Sequence, residues 1–342
     1  MNLVLGALAL RPNGSGVQTY QRELMRALAA LKGLPALSAV VQADAAGELP
    51  GGVRPVRRPV SSGARRALQG MVPVSADLFH GLDVDLPVGQ QGPTVATVHD
   101  MSVFDTPWAM SRIRARGERF LLRRALRRAD AIISVSAFTA ERVAEITGRT
   151  SAVTPLAPGS WTHVPSDEAV RMVRRKYGLP PRFVLQLGTL EPRKRPEVVN
   201  EALQGTGVPL VLAGGGTDGP GRPTGSIGLG YVDLEDIPAL YRAADVVAYA
   251  SAYEGFGLPP VEAMACGAVV VASAVGGIPE AVGDGAVVVS GLDPVRWREA
   301  LLPALNDGDV RAALSADATE QVRKLTWNAT AAATAEVYAP LL

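Results

Sequence analysis

Two carboxylates eight residues apart, Glu254 and Glu262, flank a segment that could hold a phosphate, E-G-F-G-L-P-P-V-E. Proline is tolerated in the first turn of a helix but not inside one. A helix is therefore predicted to begin near Pro259, with Glu254 in the loop before it and Glu262 in its first turn. Glycines let a backbone approach a ligand closely, and the free N–H groups of a first helical turn attract anions. The segment is predicted to be a phosphate cradle with a carboxylate on each side.

Either glutamate alone also fits a structural role, in which Glu262 complements the helix dipole at a gain of about 0.3–1 kcal/mol. The longer string E-G-F-G-L-P-P-V-E-A-M-A-C-G is more specific and resembles the signature of the retaining glycosyltransferase family 4. The resemblance implies an α/β chain of GT-B fold, with two Rossmann-like domains whose parallel sheets face each other across a cleft. It also implies a nucleotide sugar as donor substrate.

The resemblance implies a role for each part of this segment. Glu254 would contact the hydroxyls of the donor sugar as a catalytic residue, and Glu262 would bind the ribose diol. The donor sugar and its phosphate would lie along four main-chain N–H groups, those of Gly255, Phe256, Gly257 and Leu258.

His99 begins the loop after the predicted strand Thr94–Val98. Ligands bind at the carboxyl ends of strands in open α/β sheets, so a histidine there can bind a sugar hydroxyl or stabilise charge near the anomeric carbon. Its position alone fits a structural histidine equally well. The resemblance implies catalysis, because the family carries a histidine in this motif. His80 and His163 lack this support and are expected to be structural.

A cluster of cations, in the sequence G-T-L-E-P-R-K-R, follows the predicted strand Phe183–Leu187. Arginine can pair with two phosphate oxygens while lysine acts as a point charge, although a solvated basic loop is the ordinary alternative. The resemblance implies a pyrophosphate clamp made by Arg193 and Lys194. Many family members have an arginine where this chain has Thr189. Either Arg193 supplies the second charge, or the pyrophosphate is held less firmly.

Gly14 and Gly16 lie between a predicted strand and a helix, where a dinucleotide fingerprint would lie. Thr19 replaces the third glycine, and the acidic residue Asp44 follows Gly16 by 28 residues rather than about 20. A nicotinamide oxidoreductase is therefore the weaker alternative. The resemblance instead implies that both glycines lie close to the sugar and its phosphates.

Val232 follows another predicted strand end, and the resemblance implies that it contacts the nucleotide base through main-chain groups. Main-chain contacts do not distinguish a GDP-sugar from a UDP-sugar. GDP-mannose is the expected donor, because G-T-L-E-P-R-K looks most like the loops of mannosyltransferase-type members.

The length of 342 residues predicts two domains, and alternating strand and helix patterns throughout predict parallel sheets covered by helices. The proline-rich segment 155–165 is the predicted hinge. We expect an N-terminal acceptor-binding domain over residues 1–157, completed by a C-terminal helix over 326–342. A nucleotide-sugar-binding domain is expected over 158–325.

Composition predicts a cytoplasmic protein, with 47% hydrophobic and 20% charged residues, one cysteine and neither a signal peptide nor a membrane span. Residues 1–160 carry nineteen Lys and Arg against twelve Asp and Glu, a net charge of +7. Two arginine-rich stretches there, 54–66 and 112–128, stand beside apolar residues. They suit the anionic inner face of a membrane or a lipid-linked acceptor, and a solvated surface is the alternative.

Two D-x-D patterns, at Asp83 and Asp307, have a form that can hold a metal, but neither lies where the expected cleft would be. Neither a metal nor a cofactor is predicted, and nucleic acid is not an expected partner. The predicted activity is transfer of mannose from GDP-mannose, with retention, to a hydroxyl of a glycan, lipid-linked or small-molecule acceptor in cell-envelope or polysaccharide synthesis. The alternatives are a UDP-sugar donor, an epimerase or hydrolase of the same fold, and a non-catalytic sugar-nucleotide-binding protein.

Overall fold

The computed structural model describes residues 1–11, 16–83 and 86–342, and the chain forms two compact units. Unit 1 comprises Met1–Ala157 together with Thr326–Leu342, and unit 2 comprises Pro158–Leu325. These limits are the ones expected from the sequence, and the first boundary lies within the proline-rich segment. The roles expected for the two domains stay predictions.

Each unit is built on one sheet whose described strand pairs are all parallel, seven strands in unit 1 and six in unit 2. The strands of unit 1 are β1 Asn2–Gly6, β2 Ala36–Gln42, β3 Val53–Arg58, β4 Leu78–Gly81, β5 Thr94–Val98, β6 Ala131–Ser134 and β7 Ala152–Val153. Those of unit 2 are β8 Val184–Leu187, β9 Leu210–Ala213, β10 Ile227–Gly228, β11 Val246–Tyr249, β12 Val270–Ser273 and β13 Val287–Val289.

The strand orders are β3-β2-β1-β4-β5-β6-β7 in unit 1 and β10-β9-β8-β11-β12-β13 in unit 2. In each sheet the order runs one way from the first strand and then reverses, between β1 and β4 and between β8 and β11. In open parallel sheets, ligands bind beyond the carboxyl ends of the strands at such a reversal.

Helices connect the strands, as the alternating sequence pattern predicts. In chain order they are α1 Val17–Ala30, α2 Gly63–Gly70, α3 Ser102–Asp105, α4 Arg112–Arg128, α5 Ala137–Thr147, α6 Asp167–Lys176, α7 Pro196–Ala202, α8 Ile237–Ala243, α9 Leu258–Ala265, α10 Ile278–Val282, α11 Pro294–Asn306, α12 Gly308–Arg323 and α13 Trp327–Tyr338.

Both cores consist of the continuous apolar runs of the central strands, which are buried because helices cover both faces of a parallel sheet. All four residues of β11 are buried, for example, and so are all five of β5. The core of unit 2 also includes the fully buried Trp297 of α11.

The last helix, α13, packs against α1 of unit 1, as expected from the sequence. Thr326 caps its amino terminus by accepting a hydrogen bond from the Ala329 N–H. Thr330 then donates its hydroxyl to the Pro155 carbonyl at 2.6 Å, and the Tyr338 hydroxyl lies 2.6 Å from the His80 ring. The two ends of the chain therefore belong to the same unit.

Candidate functional site

The loops of unit 2 with chemically active residues all follow neighbouring strands. Gly188 comes directly after β8, Gly214 after β9 and Gly230 close after β10. The segment 251–257 follows β11, and Gly276 follows β12. Because the carboxyl ends of parallel strands lie along one edge of a sheet, these loops share that edge. The half-buried Val232 lies among them, in the loop after β10.

The segment that holds the two glutamates is mostly buried. Helix α9 begins at Leu258, so Pro259 and Pro260 both lie in its first turn and Glu262 lies just beyond it. The prediction that Glu262 belongs to the first turn is therefore wrong by one position. The first turn accepts two prolines because its N–H groups have no partner within the helix. Glu254 lies in the preceding loop, as predicted.

The Glu254 carboxylate is held on one side by two donors. Its Oε1 accepts hydrogen bonds from Arg193 Nη1 at 2.6 Å and from Ser251 Oγ at 3.0 Å, and its side chain is 12% exposed. Ser251 is fully buried, and its own N–H donates to Ser273 Oγ at 2.8 Å. Sequence reasoning missed Ser251, and its position three residues before the glutamate is the only signal that points to it.

Arg193 is already paired with carboxylates. Besides its bond to Glu254, it donates from Nε to Glu191 Oε2 at 3.0 Å and from Nη1 to the Tyr253 carbonyl at 3.1 Å. Its charge is therefore shared by two acidic side chains. It follows that Arg193 orients Glu254 in this structure, and its role as the second charge on a pyrophosphate stays a prediction.

Lys194 differs from its neighbour. Its Nζ lies over the ring of Tyr249, 5.8 Å from the centroid, and fills the space where Gly188 has no side chain. In the part of the chain that the structure describes, no carboxylate lies within 4.0 Å of this nitrogen and no group hydrogen-bonds to it. Burial lowers the pKa of Lys194, while the nearby Glu254 carboxylate opposes that shift. An ammonium group in such surroundings is suited to an anionic ligand.

Glu262 is 7% exposed, and burial raises its pKa to about 8, against the opposing effect of Lys194. No partner among the described residues hydrogen-bonds to its side chain. A carboxyl group in this environment is largely protonated at neutral pH. It can therefore change its protonation state when a ligand supplies hydrogen-bond donors.

Two consecutive glycines after β12, Gly276 and Gly277, pack against the backbone of the loop that carries Glu254. The Gly277 N–H donates to the Glu254 carbonyl at 3.1 Å. A Cβ at Gly276 would collide with that same carbonyl oxygen, and one at Gly277 would collide with the Gly255 carbonyl. Gly257 has a φ of 100°, a conformation that favours glycine. The loop can therefore take its position only because the segment after β12 has no side chains there.

In unit 1, half-buried His99 follows β5, as the sequence predicts. Its Nε2 lies 2.9 Å from the Leu82 carbonyl, which can only accept, so this nitrogen carries the proton. The ring of Tyr20 stands edge-on to the imidazole at a centroid distance of 4.7 Å. Gly16 precedes α1 with a φ of 62°, while Gly14 lies outside the described residues.

The other two histidines have different surroundings. His80 is fully buried with both ring nitrogens hydrogen-bonded, whereas His163 is exposed and its ring bonds to the Trp161 carbonyl.

No group of three or more His, Cys, Asp or Glu side chains that could hold a metal ion occurs among the described residues. In one D-x-D pattern, the Asp307 carboxylate caps α12 by accepting from the N–H of Asp309 at 2.8 Å. The other pattern includes Asp85, which lies outside the described residues. The absence of a metal requirement stays a prediction.

The arginine-rich helix α4 exposes large apolar side chains beside its charges. Ile113 is 88% exposed and Phe120 is 64% exposed, and Trp108 just before the helix is 56% exposed. Arg119 and Arg123 both stack over the ring of Phe104. We call this face the α4 surface. None of the helices in the described part of the chain has the length and apolar content needed to cross a bilayer.

The fold and these loops define a class, the glycosyltransferases of GT-B fold. The family model described as Glycosyl transferases group 1 matches residues 172–321, and the one described as Glycosyltransferase Family 4 matches residues 14–159. O-antigen chain mannosyltransferase B of Escherichia coli is 33% identical over 270 residues, which cover 73% of this chain and 71% of that protein. The chain therefore belongs to glycosyltransferase family 4.

Two further similarities extend the comparison. D-inositol 3-phosphate glycosyltransferase of Salinispora arenicola is 38% identical over 199 residues, which are 50% of this chain and 44% of that protein. This chain thus matches less than half the length of that relative. The Anabaena protein HepE, solved in complex with UDP-glucose, has a TM-score of 0.75 over the whole of both chains at 20% identity. That likeness shows a shared fold.

Proposed function

We propose that this protein transfers mannose from GDP-mannose, with retention of configuration, to a hydroxyl of a glycan, lipid-linked or small-molecule acceptor. The observation that carries the proposal is Lys194, an ammonium group without a carboxylate within 4.0 Å among the described residues, next to the Arg193–Glu254 ion pair. The loop G-T-L-E-P-R-K and the 33% identical mannosyltransferase support mannose as the sugar.

The first requirement of this chemistry is a stabilised diphosphate leaving group. We assign that role to Lys194 and to the main-chain N–H groups of residues 255–258, which lie at the amino terminus of α9. A helix amino terminus and a buried ammonium both favour an anion, and both are in place before the reaction, so no reorganisation is needed. Arg193 acts indirectly, because it fixes the orientation of Glu254.

The second requirement is support for the sugar as positive charge develops at its anomeric carbon. Among the described residues, the two donors to the Glu254 carboxylate both bond to Oε1, so we assign Oε2 to the sugar hydroxyls. His99 uses its Nε2–H for the Leu82 carbonyl, so Nδ1 is the nitrogen that would serve the substrate. No protein nucleophile is required, because the leaving phosphate can accept the proton of the acceptor hydroxyl.

The nucleoside is assigned to two further residues. Glu262 would accept hydrogen bonds from the ribose diol once its proton is lost, and Val232 would contact the base through main-chain groups. We also propose that the α4 surface contacts an anionic membrane, because its arginines stand beside exposed apolar side chains.

A thermal-shift panel with GDP, UDP, ADP and TDP, each with and without its sugar, tests the donor. GDP and GDP-mannose are expected to give the largest stabilisation. A preference for UDP and its sugars would contradict mannose as the sugar, and stabilisation by NADH would favour the oxidoreductase alternative.

Release of the nucleoside diphosphate tests the reaction. Release that depends on an added acceptor supports transfer. Release without an acceptor indicates a hydrolase, and conversion of the sugar nucleotide to an isomer indicates an epimerase. Tight binding without any turnover, together with unchanged biological activity in Glu254→Ala, indicates a non-catalytic binding protein.

A further inference from the structure

A chain of polar side chains crosses the buried interior of unit 1. The Tyr338 hydroxyl of α13 lies 2.6 Å from His80 Nδ1, and His80 Nε2 lies 2.8 Å from Thr97 Oγ1. Thr97 Oγ1 in turn lies 2.9 Å from the Tyr20 hydroxyl of α1. All four residues are fully buried, so bulk solvent does not compete for these hydrogen bonds. This chain of hydrogen bonds links α13 to α1.

All four members of this chain are neutral. Burial lowers the pKa of His80 to about 3 and raises the pKa of both Tyr20 and Tyr338. A neutral imidazole has one donor and one acceptor nitrogen. The His80 ring therefore donates a hydrogen bond to one of its two hydroxyl neighbours and accepts one from the other. Loss of one hydroxyl would leave a buried polar partner unsatisfied, which is unfavourable. The geometry of the chain is therefore strongly specified.

The chain ends at Tyr20, whose ring contacts His99. Thr97 and His99 are two residues apart at the end of β5, and alternate residues of a strand point to the same face. Tyr20, whose hydroxyl bonds to Thr97, places its ring edge-on to the His99 ring. The second contact of His99 is the Leu82 carbonyl, which follows His80 by two residues at the end of β4. Tyr20 and Leu82 thus contact the imidazole from α1 and from the loop directly after β4, and the buried chain connects these two elements.

We propose that Tyr20 is a positioning residue for His99, and that Tyr338 holds Tyr20 in place through His80 and Thr97. This inference rests on the catalytic role proposed for His99. It gives α13 a part in the reaction beyond covering the sheet, because the hydroxyl at the end of that helix fixes the far end of the chain.

Phenylalanine at either end tests the proposal with little loss of packing. Tyr20→Phe and Tyr338→Phe remove one hydroxyl each, and Tyr177→Phe, which removes a phenol hydroxyl from unit 2, is the matched control. The sequence contains three histidines, so the ring signals in a ¹H–¹³C NMR spectrum are few enough to assign. We expect both test variants to move the His99 signal, while the control leaves it in place.

The same variants are compared in turnover of GDP-mannose. Since small displacements of a catalytic group are costly, kcat is expected to fall about tenfold in both test variants, with KM for GDP-mannose nearly unchanged. Thr97→Val breaks the chain in its middle, and Thr97→Ser, which keeps the hydroxyl, should restore both kcat and the His99 signal. This pair keeps the test decisive if a tyrosine variant folds poorly.

Two results separate this inference from the proposed function. If His99→Ala leaves turnover unchanged, the catalytic role of His99 fails, and the positioning role fails with it. If His99→Ala abolishes turnover but the Tyr20, Thr97 and Tyr338 variants leave both kcat and the His99 signal unchanged, only the positioning role is overturned.

Discussion

Glu254 and Glu262 lie in different electrostatic surroundings, although both follow the same strand. Glu254 accepts hydrogen bonds from Arg193 and Ser251, whereas Glu262 is buried without a hydrogen-bond partner among the described residues. A carboxylate fixed by protein donors is ready to orient a substrate. A carboxyl group without donors gains its partners only from the ligand. The two residues should therefore differ in which kinetic parameter they control.

Replacing Glu254 by glutamine is expected to reduce kcat more than nucleotide binding. The amide has nearly the same shape but no charge, so it can neither pair with Arg193 nor stabilise positive charge at the anomeric carbon, and kcat should fall about 100-fold. Steady-state turnover of GDP-mannose and calorimetric binding of GDP would measure the two effects. Glu235→Gln, at an exposed position in unit 2, is the control. A variant that loses GDP affinity but keeps kcat would contradict the assignment.

Glu262 should make nucleotide binding depend on pH. The ionised form accepts hydrogen bonds from the two ribose hydroxyls more strongly than the protonated form does. The pKa of Glu262 is about 8, so at lower pH the tighter binding mode requires the loss of a proton. GDP affinity is expected to rise between about pH 6.5 and 8.5, by at most about tenfold per pH unit. Glu262→Gln should bind GDP more weakly and with a flatter pH profile. Equal slopes in calorimetric titrations of the two proteins would contradict this.

The same pKa has the opposite effect on the stability of the unliganded protein. A pKa of about 8 in the folded protein lies above the ordinary value of 4.5, so the folded state holds the proton more tightly. The contribution of Glu262 to the free energy of unfolding is therefore full below about pH 4.5 and is lost as the pH rises to about 8. Thermal unfolding of wild type and Glu262→Gln across this range would show the difference.

At the scale of elements, the donor loops are held by close backbone contacts. Gly276→Ala is expected to destabilise unit 2 and weaken GDP binding, because its Cβ would collide with the Glu254 carbonyl. Gly291→Ala is the matched control, since Gly291 also has a positive φ, 80° against 59°, but no atom lies within 4 Å of the added Cβ.

The comparison separates backbone strain from the collision. Both variants carry the strain of a positive φ, so both should melt lower than wild type. Gly276→Ala should melt lower still, by roughly 2–4 °C for each additional kcal/mol in a domain of this size, and should also lose GDP affinity. Equal melting temperatures and equal GDP affinity in the two variants would show that the collision has no effect.

The elements that the sequence predicts well are those with continuous apolar runs. The predicted strand at residues 94–98 is β5, because a strand buried on both faces leaves a distinct run of valine and threonine. Strand β3 was not predicted, because the arginines of 54–58 resemble a solvated basic stretch. In the structure β3 lies at the edge of the sheet, where Arg54 and Arg57 are exposed. Edge strands often carry such charges, which oppose pairing with other chains.

At the scale of the whole molecule, the α4 surface should bind anionic membranes. Sedimentation with vesicles containing anionic lipid is expected to remove the protein from the supernatant, and neutral vesicles should not. Arg116→Glu and Phe120→Ser should each reduce the bound fraction, because one removes charge attraction and the other apolar insertion. Arg296→Glu, at an exposed position in unit 2, is the control. Equal sedimentation with both kinds of vesicle would favour a solvated surface.

The sequence indicates which residues are candidates for the site, but it does not indicate which of them contact one another. A string of fourteen residues points to Glu254 and Glu262, and the cation cluster after a predicted strand points to Lys194. That Arg193 pairs with Glu254, and that Lys194 lacks a carboxylate within 4.0 Å among the described residues, depends on how two loops from different strands meet. The same holds for Ser251 and the glycines after β12, whose contacts no local pattern encodes.

Because the chain returns to unit 1 after unit 2, the residues of unit 2 are all synthesised before those of unit 1 are complete. Residues 158–325 form unit 2 without interruption, so every residue of that unit is synthesised before the last helix. Unit 1 begins first but receives Trp327 and Tyr338 last. Until then the His80 ring lacks its Tyr338 partner. Unit 2, to which we assign nucleotide binding, would thus be synthesised in full before unit 1, which carries His99, and a chain that lacks α13 is expected to bind GDP without turning over GDP-mannose.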